Sequence, residues 1–343
     1  MHYGLTEEQI SLREMVAQLL ADLADRRERY DTELPVDAAT PREAKVWAAL
    51  VESGVAALGV PEALGGPGGD AIDQVVVAEE IGAALARVPF GSAALASVVL
   101  GSAPDEALTA RVLEGRPPAV VLPGDTVVLD AAEADAGLVF TGGALVELAG
   151  EEWAAARRAQ PCVDRTRSIA TVAIPAGAGR VLLNDAAELG EEVRRRRQVL
   201  LAAESTGVAR WCLDTASAYA RTRQQFGVPI GTFQAVKHNL ADMLVRAENA
   251  RSATWGGAWA LAHGWRDRAL SAAMAKAVAT ENARAVAAAA VQIHGGIGVT
   301  WEHDLHLYLR RAKVNEQLGG TPAERFAALA GLLLDDAPSG ASA

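Results

Sequence analysis

Cysteine is nearly absent: Cys162 and Cys212 are the two in 343 residues. Neither sits in a metal or redox spacing, which excludes a disulfide framework and points to a reducing cytoplasm. An excess of basic charge is missing too. Asp and Glu outnumber Lys and Arg by 43 to 32, for a net charge of −11, which argues against a generic nucleic-acid surface or an anionic membrane face. Long apolar runs are lacking: Ala285 to Val291, bounded by Arg284 and Gln292, is too short to span a bilayer. The opening Met1-His2-Tyr3-Gly4 and the polar amphipathic stretch behind it do not read as a signal peptide. His294, His303 and His306 follow no recurring coordination spacing, so no metal site is expected.

What is present can bury a core or two, since half of the residues are hydrophobic and 22% charged. Three zones follow. In residues 1–116, Thr6 followed by Glu7, Glu8 and Gln9 is a capping-box-like helix start, with Ile10, Leu12, Val16, Leu19, Leu20 and Leu23 at helical spacing. Val60-Pro61-Glu62 and Leu64-Gly65-Gly66-Pro67-Gly68-Gly69 punctuate this zone as a loop, and a helix resumes from Ile72 through Gly82. Residues 117–188 carry short β-rich runs at 119–122, 126–129, 138–141, 169–174 and 181–183, a small β domain. Residues 189–335 read as long helices over Gln198–Tyr219, Phe233–His263 and Arg266–Ile293, a four-helix bundle, with 336–343 a frayed tail. The expected class is α+β, mostly α.

Two motifs carry chemistry. In Arg223-Gln224-Gln225-Phe226-Gly227-Val228-Pro229-Ile230, Arg223 offers a cation for a pyrophosphate, Phe226 an apolar face for adenine, and Gly227 a close turn. In Gln292-Ile293-His294-Gly295-Gly296-Ile297-Gly298, the glycines allow backbone approach and Gln292 can hydrogen-bond. Read singly, the first could be a helix C-cap and the second a tight turn. Read together, with Phe233-Gln234 and Leu240-Ala241-Asp242-Met243 between them, they resemble the acyl-CoA dehydrogenase superfamily. The Val-Pro-Glu, Gly-Gly and Glu-Glu-Ile-Gly segments of the first zone do likewise. That resemblance implies FAD as cofactor, an acyl-CoA thioester as substrate, α,β-desaturation as reaction, and Arg223, Gln225, Phe226, Gln292, Gly295 and Gly296 as contacts to the adenosine half of a FAD whose ring a neighbouring subunit holds.

The same resemblance exposes losses. The family's aromatic-x-Thr-Glu-Pro-x-x-Gly-Ser-Asp and Lys-x-Trp-Ile-Thr segments, which contact the flavin ring, are absent. The reaction needs a carboxylate against the α-carbon, and the two positions where the family places it hold Gly319, in Leu318-Gly319-Gly320-Thr321, and Arg197. An arginine does not abstract a proton at neutral pH. Glu204, about 10 Å along the same helix face as Arg197, is a candidate relocated base or a packing residue. Glu302 reads as solvated or inter-subunit, and Glu316 lies near the lost-base loop. The Arg194-Arg195-Arg196-Arg197 run is either a solvated loop or helix start, a partner surface, or a site for CoA phosphates. The resemblance therefore implies the small, non-base-bearing subunit of a heterotetrameric (α2β2) actinobacterial-type enzyme, with a homologous partner supplying the glutamate. A homo-oligomer with a relocated carboxylate and a catalytically silent scaffold remain as alternatives; no nucleic-acid or membrane partner is expected.

Overall fold

The computed structural model describes residues 4–31, 34–35, 37–175 and 177–335; the expected tail over 336–343 lies outside the described residues. An N-terminal helical zone comprises α1 (Glu7–Leu23), α2 (Glu28–Asp31), α3 (Pro41–Glu52), α4 (Ala71–Ala84), α5 (Phe90–Ser102) and α6 (Glu106–Leu113). The middle zone runs β1 (Ala119–Val121), β2 (Val128–Leu129), β3 (Ala136–Thr141), β4 (Ala144–Ala149), α7 (Gly150–Ala156), β5 (Arg157–Gln160), β6 (Ile169–Val172) and β7 (Arg180–Leu183). Then follow α8 (Ala187–Thr222), β8 (Gln224–Gln225), β9 (Val228–Pro229), α9 (Gln234–Ala262), α10 (Arg268–His294), α11 (Leu305–Gln317) and α12 (Pro322–Asp335). The mostly helical α+β class agrees with the sequence.

Local chemistry sets the helix starts. The Thr6 hydroxyl accepts from Gln9 N while Thr6 N donates to Gln9 Oε1, and Thr40 repeats the device with Glu43 ahead of α3. In the middle zone, sheet β1-β3-β4-β7 faces sheet β2-β6-β5 across Val121, Val139, Leu148, Trp153 and Ala170. Strands β4 and β5 and helix α7 had no counterpart in the sequence reading. β4 folds back on β3 through Gly142 and Gly143, both at positive φ, the backbone that a two-residue hairpin requires. Its apolar run is broken by Glu147, buried because Arg180 pairs with it at 2.6 Å. β5 is the polar edge strand Arg-Arg-Ala-Gln.

The first long helix differs from expectation by starting at Ala187 instead of Gln198. The four-arginine run is thus helical and not a solvated loop. Arg194 and Arg195 pair with Glu191 and Glu192 at i,i+3, Arg196 donates to Gln74 of α4, and Arg197 pairs with Asp125. α8 packs against α9 and α10, and α10 presents Ala272, Ala275, Ala279, Ala283, Ala287 and Ala290, all buried, at helical spacing. α11 completes the bundle through Leu305, Leu307, Tyr308 and Ala312.

Where α4 crosses α8, two glycines let the backbones touch. A Cβ on Gly82 would meet Glu204 O at 2.1 Å, and one on Gly207 would meet Glu79 O at 1.9 Å. Helix propensity alone predicts a gain of about 1 kcal/mol for Gly207→Ala, but overpacking against rigid backbone costs about 1–3 kcal/mol or more. The clash wins: Gly207→Ala is expected to lower the urea midpoint, and a raised midpoint would contradict the contact.

Candidate functional site

The fold brings the two expected base positions side by side. Arg197 and Gly319 line one cavity of about 830 Å³ between the 123–127 loop, α8 and the α11–α12 junction, and a Cβ on Gly319 would stand 3.7 Å from Arg197 Nη2. Arg197 Nη1 donates to Asp125 Oδ2 at 2.6 Å, and Leu122 N donates to the same oxygen at 2.9 Å. Where a proton-abstracting carboxylate would be needed stands a guanidinium with its own counter-ion. A neighbouring space of about 40 Å³, between Leu95, Val120, Leu129, Leu200 and Leu201, shares Arg197 and Gly319. It has room for water but not for an acyl chain.

Glu204 is 7% exposed and held from two sides. Arg167 Nη2 donates to Glu204 Oε2, and Arg311 Nη1 reaches the same oxygen at 3.3 Å. Arg311 Nε also donates to Asp164 Oδ2 at 2.5 Å and its Nη2 to Thr166 Oγ1 at 2.7 Å, while Arg167 Nη2 donates to Asn315 Oδ1 at 2.7 Å. Burial raises the Asp164 carboxyl, but Arg311 and Arg167 outweigh it and hold the group below the usual carboxylate range. Two carboxylates and two guanidiniums therefore close on one another.

The cofactor motifs face the other way. Phe226 (φ 53°) and Gly227 (φ 81°) form the two-residue turn of the β8–β9 hairpin, and Phe226 is 92% exposed. Positive φ at both positions suits a primed hairpin turn, though a bulky residue there is strained. The Arg223, Gln225 and Gln292 side chains are exposed, and Gly295 and Gly296 have open space where a Cβ would be. A ring column joins the motifs: Tyr219, one turn before Arg223, stacks on His294 at 4.2 Å, His294 lies 4.5 Å from His303, and His303 meets Trp211 edge-on at 6.5 Å. Trp211 stacks on Tyr308 at 3.6 Å, and Tyr308 Oη donates to Ala83 O of α4. His294 is 4% exposed; its Nδ1 lies 2.8 Å from Ala290 O and its Nε2 has no partner.

Of the remaining expected residues, Glu302 is exposed, and Glu316 accepts from Arg284 Nε at 2.9 Å. Among the described residues no group of three His, Cys, Asp or Glu side chains could hold a metal, and no helix is long and apolar enough to cross a membrane. Sequence reasoning missed Asp125, Asp164, Arg167 and Arg311. The dense Asp164-Arg165-Thr166-Arg167 segment inside a β zone was the available signal, since charges there survive only when paired.

Comparison with known proteins places this geometry. The family profile described as Acyl-CoA dehydrogenase, C-terminal domain matches residues 195–327, and the N-terminal domain profile matches residues 6–115. The chain is 36% identical to acyl-CoA dehydrogenase IpdE2 of Mycolicibacterium smegmatis, over 94% of this chain and 97% of that protein. It is 36% identical to IpdE2 of Mycobacterium tuberculosis, over 93% and 95%. Among solved structures, the Tcur3481-Tcur3483 steroid ACAD G363A variant superposes with a TM-score of 0.82 at 25% identity, covering 96% of this chain and 98% of that one. The ChsE4-ChsE5 complex from Mycobacterium tuberculosis gives 0.81 at 24% identity, covering 99% and 100%.

Two outcomes follow from the geometry. Glu204→Gln leaves two buried guanidiniums with one carboxylate, so it should cost about 3–5 kcal/mol of folding stability, read from urea unfolding; a free base would lose turnover with stability intact. Burial holds His294, His303 and His306 below the usual histidine range. The unfolded chain then binds more protons, so their contribution to stability is full above about pH 6.5 and is lost as pH falls through the depressed folded values. A triple His→Phe variant should flatten the fall in urea midpoint over that window.

Proposed function

Because the chain belongs to the acyl-CoA dehydrogenase family of oxidoreductases acting on CH–CH bonds, we propose that it is the subunit of a heteromeric, FAD-dependent enzyme that helps hold the cofactor and carries no catalytic base. The carrying observation is the contrast between its two faces. Inward, Arg197 paired with Asp125 and a glycine at 319 occupy the base positions, and Glu204 is neutralised by Arg167 and Arg311. Outward, Arg223, Gln225, Phe226 and Gln292 present side chains to solvent.

The residues fit one end of FAD. Arg223 supplies a charge-assisted donor for a pyrophosphate, Gln292 an amide, Phe226 a ring face, and Gly295 and Gly296 an unobstructed backbone. The ring end fits poorly: among the described residues no aromatic side chain lines the large cavity. When bound, FAD supplies the hydride acceptor; this chain binds and orients. A homologous partner would supply the α-proton acceptor and the acyl pocket, since the enclosed space between Leu95, Leu129, Leu200 and Leu201 beside Arg197 and Gly319 is only about 40 Å³. The two-component names of the Tcur3481-Tcur3483 and ChsE4-ChsE5 structures support a heteromer. The word steroid in the first supports a bulky, polycyclic acyl-CoA.

The test is co-production with the homologous base-bearing subunit. The chain alone should lose FAD on dialysis, while the complex should stay yellow and turn over acyl-CoA with a ferricenium-type acceptor. Arg223→Ala should weaken FAD binding by the complex ten- to hundredfold, the value of about 1.5–3 kcal/mol for one charge-assisted contact. Stoichiometric FAD in the isolated chain, or unchanged affinity in the variant, would refute the assignment.

A further inference from the structure

The large cavity is cationic in a chain of net charge −11. Arg194, Arg197, Lys313 and Arg325 line it against Asp125 and Glu324. Both acids are already engaged: Asp125 by Arg197 and Leu122 N, and Glu324 by the backbone N–H and hydroxyl of Thr321 at 2.8 and 2.9 Å. Arg194 pairs outward with Glu191. Two cations are left over.

Arg325 is the informative one. It sits on the first turn of α12 and is 8% exposed. Its Nη1 donates to Glu316 O at 2.5 Å, whereas Nε and Nη2 are buried with no acceptor. Those two N–H groups form the parallel fork that grips a carboxylate or phosphate with two bonds. Glu316 and Glu281 offset part of the charge from nearby, but among the described residues no group accepts from these two N–H donors, which border a space of about 830 Å³. Gly320 packs beside it, where a Cβ would lie 3.9 Å from Arg325 Cγ. Val127, Ile169, Val314 and Leu318 also line the cavity, an apolar surface for the body of a ligand.

We propose that this cavity binds an organic anion, its oxyanion held by Arg325 with Arg197 and Lys313 nearby and its apolar body against Val127, Ile169 and Leu318. Where a carboxylate base would repel such a group, Arg197 and Gly319 admit it. The inference goes beyond the subunit reading and holds whether or not the chain engages FAD.

Calorimetry on the full-length chain tests it with four probes: octanoate, octyl phosphate, ADP and the uncharged 1-octanol. Saturable binding of octanoate or octyl phosphate, at least tenfold tighter than octanol, is expected, and Arg325→Gln should weaken it ten- to hundredfold. Arg325→Lys, which keeps the charge but loses the fork, should also weaken it. Binding of ADP with the same dependence on Arg325 would place the oxyanion on a nucleotide instead of an acid. Thermal unfolding of both variants controls for folding, since each substitution disturbs the bond from Arg325 Nη1 to Glu316 O. Octanol binding as tightly as the anions, absence of binding by all the charged probes, or anion affinity unchanged in Arg325→Gln would overturn the proposal.

Discussion

The closed set of Asp164, Arg167, Glu204 and Arg311 is the constraint on which the rest depends. It joins a loop of the β zone to α8 and α11, with all four side chains buried. Its two positive and two negative charges balance, and Thr166, Asn315 and Ser205 take up further hydrogen-bonding capacity. Such a set gains little over well-packed apolar residues, but removing one member leaves a bare buried charge. It therefore fixes how the zones meet more than it adds stability. At position 204 the carboxylate is shared by two guanidiniums, the geometry of a structural ion pair.

The glycine contacts at Gly82 and Gly207 work with this set. They bring α4 against α8 at the turn that carries Glu204, and on the next turn Arg210 Nη2 pairs with Glu80 at 2.7 Å while Nη1 reaches Glu79 at 3.0 Å. One crossing point thus sets both the backbone spacing and the charge register of α8. The cavity beside Arg197 lies between the 123–127 loop, α8 and the α11–α12 junction, and the Arg197–Asp125 pair ties the first two together.

The long helices and most of the strands were legible because their signals are local: capping residues, apolar spacing, and Gly or Pro punctuation. β4 and β5 were not, because Glu147, Arg157 and Arg158 put charges into their apolar patterns, although β4 pairs with the neighbouring β3 and β5 with the nearby β6. The early start of α8 escaped notice since a run of arginines reads as solvent-facing until Gln74 and Asp125 are known to meet it. For the site, the empty base positions could be counted from motif spacing. That Arg197 and Gly319 are neighbours, that Asp125 neutralises Arg197, and that Arg167 reaches Glu204 across 37 residues of chain are tertiary facts.

Phe226 gives the clearest sign of where the chain's function points. A non-glycine residue at φ 53° costs about 1–2 kcal/mol, and its ring is 92% exposed, touching Phe233 edge-on at 6.2 Å. Little inside the molecule offsets that strain. Among the described residues the Arg223 and Gln225 side chains of this hairpin have no hydrogen-bond or ion-pair partner, next to the glycine turn to which the Tyr219–His294 stack anchors it. Strain of this kind persists where the surrounding structure or a binding partner over-determines it. The strained, exposed ring and the exposed side chains beside it lie on the same hairpin, which is why the proposed cofactor contact is sought there and not in the interior.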